Sequence, residues 1–412
     1  MIKFEEFRLD NGLQVIVHED SNSMQVCLNI LYHVGARNEN PERTGFAHLF
    51  EHLMFGGSKN IPSFDEPLQA VGGDNNAFTG NDFTNYYTTI PSTNVETAFW
   101  LESDRMLSLS FDPEVLEVQR SVVIEEFKER YLNQPYGDVW MKLRPEAYKV
   151  HPYRWATIGR EISHIEKATM DDVKDFFGKF YGPNNATLVL AGGITLKEAK
   201  RLSEKWFGPI PAIKVGNKDI PQEPRQEKHR LVEVTADVPT KALYKSFHMP
   251  GRSEKKYHTA DLLSDLLGRG KSSPLYRELV NDQRMFHSIS AYVVGSADPG
   301  LLMIEGKLKD DTTFEAAEEG INKVLTSIRS GEVDEESVDR IKSQAEASIA
   351  FGEVELLNRA VGLAFSDFLG DPNLINQELS IVQDVSKKDL LDMANDILLE
   401  DNTTTLHYHK AN

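Results

Sequence analysis

Two kinds of hydrophobic pattern recur along the chain. Short segments such as Leu13–Val17 and Thr187–Leu190 are rich in β-branched and apolar residues, which is typical of strands. In the segment 113–132, apolar residues recur every three or four positions, which predicts a helix. Strand and helix patterns follow one another in a mixed order. The chain is therefore predicted to be α+β, with mixed or antiparallel sheets faced by helices, rather than a doubly wound parallel sheet.

One long repeat divides the chain into two halves. The matching segments are 172–175 with 389–392, 185–188 with 402–405, and 47–54 with 260–267. Between the halves, Gly208–Arg230 is rich in Pro and polar residues without periodicity, which is typical of a linker. We therefore predict an internal duplication into two homologous domains, each a sandwich of helices and a sheet, at residues 1–215 and 216–412.

The segment His48–His52 carries the clearest chemical signal. On a helix, residues four apart share a face, so His48 and His52 can direct their imidazoles at one metal ion, and Glu51 lies in the same sector. Two imidazoles and a carboxylate suit zinc and leave a coordination position for water, whose proton a nearby glutamate can accept. These polar residues interrupt an apolar helix, and a metal explains why they are there.

A third ligand must come from elsewhere, and the helix that begins after Asp112 is the best source. Its apolar positions 115, 118, 122 and 123 continue, at the same spacing, to Glu126. Glu126 is therefore favoured over Glu125 and Glu129, which are expected to be solvated or ion-paired. Gln119, two turns earlier, is a candidate for orienting Glu126, although a surface role fits it nearly as well.

Charge, cysteine content and the first residues of the chain restrict the possible partners, metal ligands and cellular location. The formal net charge of −19 argues against a nucleic-acid or anionic-membrane surface. Cys27 is the only cysteine, so a thiolate zinc cluster is excluded and the metal must use His and carboxylates. Residues 1–7 have neither the basic nor the apolar region of a signal peptide. A cytoplasmic location is expected, or a periplasmic one if a signal peptide was removed.

The candidate metal-binding residues and the segments around them resemble those of the inverted-zincin peptidases of the pitrilysin and insulinase type, the M16 family. The similarity is greatest to the smaller two-domain members of the family, which are similar to the β subunit of the mitochondrial processing peptidase. It covers essentially the whole chain, and its most specific elements are His48–Ser58 and Gln119–Glu126. The resemblance implies that Glu126 is the third zinc ligand. It also implies that the first domain is catalytic and that the second binds no metal.

The resemblance further implies a substrate-binding strand beside the metal, at residues 73–79, with Asn76 and Ala77 as candidate contacts. The segment 272–280 resembles the second-half signature of the family. Val280 stands where many members have arginine, His287 where a tyrosine is common, and Gln119 where relatives often have a supporting glutamate. Whether His287 or any other residue of the second half assists catalysis is left open.

The sequence thus predicts a zinc-dependent endopeptidase or oligopeptidase with one zinc ion per chain. His48, His52 and Glu126 would hold the zinc, and Glu51 would act as general base on peptides or unfolded segments. The alternatives are a non-catalytic core or scaffold subunit and an acidic peptide-binding module. The expected assembly is a homodimer or a heterodimer with an inactive homologue, without nucleic-acid or membrane partners.

Overall fold

The computed structural model describes residues 1–216 and 219–411, which form two compact units. The first unit comprises Met1–Arg130, Trp155–Pro221 and Phe351–Asn376, and the second comprises Tyr131–Arg154, Gln222–Ala350 and Gln377–Asn412. The predicted division into 1–215 and 216–412 differs from these units. The first half of the chain contributes residues 131–154 to the second unit, and the second half contributes residues 351–376 to the first unit.

Eleven strands lie in the described part of the chain. In order they are β1 (Glu5–Arg8), β2 (Gln14–Glu19), β3 (Gln25–Tyr32), β4 (Asp74–Thr79), β5 (Thr84–Pro91), β6 (Ala186–Gly192), β7 (Arg230–Ala236), β8 (Ala242–Met249), β9 (Phe286–Val294), β10 (Gly300–Leu308) and β11 (Thr403–Lys410). The strands predicted at Leu13–Val17 and Thr187–Leu190 correspond to β2 and β6.

The α-helices alternate irregularly with these strands. In order they are α1 (Phe46–Leu53), α2 (Asp65–Ala70), α3 (Val95–Leu107), α4 (Pro113–Phe127), α5 (Val139–Ala147), α6 (Ile162–Glu166), α7 (Met170–Phe180), α8 (Leu196–Trp206), α9 (Tyr257–Gly268), α10 (Pro274–Tyr276), α11 (Phe314–Ser330), α12 (Glu335–Gly352), α13 (Leu356–Phe368), α14 (Leu374–Asp384) and α15 (Lys387–Ile397). The helix predicted over 113–132 is α4, followed by a π-helical turn at Lys128–Leu132. No helix in the described residues is both long and apolar enough to span a membrane.

The first unit is built on a six-stranded sheet of order β1-β2-β6-β3-β5-β4. Strands β2 and β6 are parallel, and the other neighbouring pairs are antiparallel. On one face, Leu363 of α13 packs in an apolar cluster with Ile16, Cys27 and Val189. Helix α3 packs on strands β3 and β5 of the same sheet. The mixed sheet with helical layers confirms the α+β prediction.

The second unit is built on a five-stranded sheet of order β7-β11-β8-β10-β9, in which β7 and β11 are parallel. One face carries a large apolar cluster that includes residues of α9, α11 and α15. The other face packs against α5, through Val139 and Leu143 with Leu406 and Tyr408 of β11. Each sheet is therefore covered on one face by a helix from the opposite half of the chain.

The internal duplication predicted from the sequence is visible in matching local structure. Thr169 and Asp172 form a capping box at the start of α7, and Ser386 and Asp389 form one at the start of α15. After these helices, the Asn185 side chain donates to the carbonyl of Phe180, and that of Asn402 donates to Ile397, both at 2.8 Å. The side-chain amides satisfy carbonyls that the helix ends leave unpaired, so the same residues fold the same way in both halves.

Candidate metal centre

Helix α1 presents His48, Glu51 and His52, and its start is set by backbone conformation. Gly45 adopts the left-handed region, with φ 89°, where a side chain would be strained. At the other end, an added Cβ on Gly56 would collide with Val115 of α4. The absence of a side chain at Gly56 therefore permits the close approach of α4 to the end of the histidine helix.

The buried carboxyl group of Glu39 caps α1. Its two oxygens accept hydrogen bonds from the backbone N–H groups of Gly45 at 2.9 Å and Ala47 at 2.8 Å. Burial raises the pKa of Glu39 to about 8, while the two N–H donors act in the opposite direction. Sequence reasoning missed this residue, because no short motif links a glutamate to a helix that begins several residues later.

Glu126 is brought to α1 by α4. Asp112 caps α4 by accepting the N–H of Glu114 at 2.8 Å, and Pro113 occupies the first helical position. The predicted apolar stripe was partly wrong, because Val118 and Val122 are 58% and 44% exposed. Of the predicted positions, Val123 is buried, and the helix also buries Leu116 and Phe127.

His48, His52 and Glu126 converge on one point. Glu126 Oε2 lies 3.6 Å from His48 Nε2 and 3.4 Å from His52 Nε2. A tetrahedral zinc site with the usual Zn–N and Zn–O bond lengths separates its ligand atoms by about 3.4 Å. Burial lowers the pKa of His48 to about 4, which favours the neutral imidazole that a metal needs. The donor set and its spacing therefore fit zinc.

Glu51 lies beside these three residues on α1. Its Oε2 accepts a hydrogen bond from Thr79 Oγ1 at 2.5 Å. Burial raises the pKa of Glu51, against the effect of the Thr79 hydrogen bond. Thr79 ends β4 and was not assigned a role from the sequence. The only available signal was its position at the end of the strand implied by the family resemblance.

The carboxylates near Glu126 in the sequence, on α4 and in the π-helical turn that follows it, do not join this cluster. Glu125 is exposed and pairs with Lys128 at 2.7 Å, and Glu129 is also exposed. The second oxygen of Glu126 pairs with Arg130 at 2.8 Å, one turn later. The hydrogen bond with His52 lowers the pKa of Glu126. Gln119 is half-buried on the same helix, and its orienting role remains a prediction.

Strand β4 lies at one end of the six-stranded sheet and, among the described residues, pairs only with β5. Ala77 and Thr79 lie on one face of the strand and Asn76 on the other, because side chains alternate. The Oδ1 of Asn76 accepts the N–H of Ala77 at 2.8 Å. The two predicted substrate contacts are thus on an available strand edge, where an extended peptide can pair.

The second unit has a different set of side chains at the matching positions. Asp261 and Asp265 on α9 replace the two histidines of α1, and Asp265 pairs with Arg269 at 2.7 Å. Burial raises the pKa of Asp261 to about 6. His287 is exposed on β9, and Val280 lies in the π-helical turn Arg277–Asp282.

Two family models match successive parts of the chain. The family described as "Insulinase (Peptidase family M16)" matches residues 14–160, and the one described as "Peptidase M16 inactive domain" matches residues 167–345. The first match contains the histidines, Glu51 and Glu126. The second begins within the first unit and contains α7, β6 and α8 as well as β7–β10.

Relatives extend the similarity over nearly the whole chain. The zinc protease PqqE of Helicobacter pylori is 30% identical over 98% of this chain and 92% of its own length. The β subunit of the mitochondrial processing peptidase of Saccharomyces cerevisiae is 24% identical over 83% of this chain and 77% of its own length. The crystal structure of a protease from Helicobacter pylori superposes with a TM-score of 0.93 at 28% identity, covering 99% of this chain and 100% of that one. The chain therefore belongs to the M16 family of peptidases, the insulinase family.

Proposed function

We propose that this protein is a zinc-dependent endopeptidase or oligopeptidase that hydrolyses peptides or unfolded segments. The convergence of His48, His52 and Glu126 on one point, with Glu51 beside them, is the observation that carries the proposal. Membership of a peptidase family and relatives named zinc proteases support it.

In this proposal His48, His52 and Glu126 hold one zinc ion. A zinc ion held there would supply Lewis acidity for activating water and polarising a carbonyl. Glu51 accepts the proton of the attacking water and delivers it to the departing amine nitrogen. Thr79 holds the Glu51 carboxyl in place by its hydrogen bond. Arg130 fixes the oxygen of Glu126 that faces away from the histidines.

The proposed substrate lies along β4 as an added strand. Main-chain hydrogen bonds to the free edge of β4 would provide affinity largely independent of sequence. Ala77 shares the face of the strand that carries Thr79, so its small side chain leaves room for substrate near Glu51. The Asn76 side chain now satisfies the Ala77 N–H, and a substrate carbonyl would replace it there.

Replacement of Glu51 tests the catalytic proposal. Glu51→Gln keeps the size of the side chain but removes the base, so zinc stays bound while kcat falls by about 10²–10⁴-fold. Zinc by elemental analysis and turnover of a quenched peptide library are measured on the same samples. Glu125→Gln is the matched control, because Glu125 is exposed and should leave both unchanged. More than about a tenth of wild-type kcat in Glu51→Gln would rule out the general-base role.

The alternatives are a non-catalytic scaffold subunit and an acidic module that captures cationic peptides without cutting them. The match of residues 167–345 to a domain described as inactive supports the scaffold alternative. The net charge of −19 supports the alternative that captures cationic peptides. Zinc binding without turnover of any library peptide, accompanied by retention of cationic peptides, would favour the binding module.

We further propose that the protein acts as a homodimer or with an inactive homologue, since one relative is named as a subunit of a processing peptidase. Light scattering of the purified protein, alone and after capture from its source cells, tests this proposal. The compartment, cytoplasm or periplasm, also stays a prediction, and cell fractionation decides it.

A further inference from the structure

A second group of metal-binding side chains lies in the second unit, outside the proposed active site. It consists of Glu233 on β7 and His407 and His409 on β11. In the parallel pairing of these strands, Glu233 is directly opposite His407, and His409 is two residues further along the same face. The sheet register therefore brings a glutamate of one strand to two histidines, two residues apart, on a strand remote in the sequence.

The geometry of this group matches that of the proposed active site. Glu233 Oε1 lies 3.8 Å from His407 Nδ1 and 3.6 Å from His409 Nε2. In the active site, one oxygen of Glu126 lies 3.6 Å and 3.4 Å from the two imidazole nitrogens. Separations of 3.6–3.8 Å are too long for hydrogen bonds and are close to the ligand spacing of about 3.4 Å around tetrahedral zinc.

A neighbouring carboxylate orients His407. The Nε2 of His407 lies 2.7 Å from Glu318 Oε1 on α11, and Lys245 Nζ pairs with the other Glu318 oxygen at 3.0 Å. A carboxylate can only accept, so Nε2 donates to Glu318, and Nδ1, the nitrogen nearer Glu233, is left as the ligand atom for a metal. Metal-bound histidines are held in this way by carboxylates in known sites.

Packing restricts both imidazoles. Phe314, the first residue of α11, stacks on His407 with ring centroids 4.2 Å apart and contacts His409 edge-on at 4.7 Å. His407 is buried, while the side chains of Glu233 and His409 are 63% and 37% exposed. The nitrogens are thus held in place on a surface that an ion can reach from solvent.

We propose that Glu233, His407 and His409 form a second zinc-binding site, in which solvent completes the coordination. Two imidazoles and one carboxylate are donors that zinc prefers, and three protein ligands leave one position open. The bound ion would link the edge strand β7 to β11. It would therefore stabilise the second unit without taking part in peptide hydrolysis.

Zinc stoichiometry tests the proposal. The full chain and its variants are dialysed against buffered zinc chloride, and the zinc per chain is measured by elemental analysis. The wild type should hold two ions, the double variant His48→Ala/His52→Ala one, and His409→Ala one. His287→Ala is the matched control, because it removes an exposed histidine from another strand of the same unit and should keep two ions.

The double variant makes this result independent of the proposed peptidase activity. Complete loss of zinc from His48→Ala/His52→Ala, or as much zinc in His409→Ala as in the wild type, would overturn the second site. The double variant could instead hold as much zinc as the wild type while His409→Ala holds none. That result would support the second site and would show that His48 and His52 do not bind zinc. Circular dichroism verifies that each variant is folded.

Glu318 provides a separate test as a positioning residue. In the His48→Ala/His52→Ala background, Glu318→Gln should weaken zinc affinity by about 10–100-fold, the usual effect of losing such a partner. Zinc should also raise the Tm of this background in a concentration-dependent way, because it binds the folded state. A Glu318→Gln variant with lower metal-free stability but unchanged zinc Kd would assign Glu318 a purely structural role and remove this support.

Discussion

At the scale of single residues, the candidate metal centre depends on which carboxylate of α4 faces α1. Glu126 does so, while its neighbours Glu125 and Glu129 are exposed. The apolar spacing that led to Glu126 contained two valines that the structure leaves in solvent, so the choice rested on an incomplete stripe. The distances to the two histidines now give that choice a geometric basis.

Three glutamine substitutions distinguish these carboxylates. Glu126→Gln should lose zinc, because a neutral amide is a poor replacement for a carboxylate ligand. Glu125→Gln and Glu129→Gln should keep the zinc content of the wild type. Elemental analysis in the His409→Ala background isolates the active-site ion from the second site. Loss of zinc from Glu125→Gln alone would show that the ligand is one residue earlier.

At the scale of elements, α1 depends on a cap that is distant from its first residue. Glu39 satisfies two N–H groups that the start of α1 leaves without helical partners. The same helix carries both histidines within its first two turns. The position of the metal ligands is therefore coupled to the stability of the helix start.

Glu39→Ala should reduce the free energy of unfolding by about 2 kcal/mol, because it removes a cap and leaves buried donors unpaired. Zinc affinity should fall as well, since the start of α1 frays. Glu42→Ala, at an exposed position three residues later, is the control and should change the free energy by less than about 0.5 kcal/mol. Urea unfolding and zinc titration measure both effects. Equal values for the two variants would show that the cap contributes nothing.

The carboxylate of Glu223 holds the segment 131–154, which comes from the first half of the chain, in the second unit. Glu223 accepts the N–H groups of Lys149 at 2.7 Å, and of Val150 and His151 at 2.8 Å each. Burial acts to raise the pKa of Glu223, but these three donors outweigh it, so that the pKa is lowered overall. A lowered pKa means that the charged form stabilises the folded state.

The pH dependence follows from that sign. The contribution of Glu223 is complete above the unfolded pKa of about 4.3 and is lost as pH falls through the lower folded value. Glu223→Gln should therefore cost about 1–3 kcal/mol at pH 7, with a smaller difference below about pH 4. Urea unfolding at several pH values measures this, with the exposed Glu227→Gln as control. A difference that grows on acidification would contradict the assignment.

At the scale of the whole molecule, the exchange of segments makes each unit depend on both halves of the chain. Helix α13 covers one face of the first sheet, with Ala360, Leu363 and Ala364 completely buried there. A fragment that ends in the linker lacks this helix. The apolar face of its sheet would then be exposed to water.

Residues 1–221 expressed alone should therefore aggregate or bind hydrophobic dyes and unfold without cooperativity. Co-expression with residues 222–412 should restore a soluble complex, because α13 returns on the second fragment and α5 on the first. The intact chain is the control, and sedimentation with dye binding provides the measurement. A soluble 1–221 fragment with a cooperative unfolding transition would disprove this dependence on α13.

The sequence by itself determined what depends on local spacing. Helical periodicity places His48, Glu51 and His52 on one side of α1, and matching cap residues mark the duplicated helices α7 and α15. The mixed order of strands and helices was sufficient to predict the α+β class. The histidine helix and the helix caps involve residues within a few turns of one another, so the local sequence specifies them.

Only the tertiary structure decided which distant residues meet. The cap from Glu39, the Thr79 partner of Glu51 and the exchange of α5 and α13 all join segments that no periodic pattern connects. The group of Glu233, His407 and His409 exists because β7 and β11 pair in parallel at one particular register. Pairing between remote strands depends on the packing of the whole sheet, and a shift of one residue would turn these side chains to the opposite face.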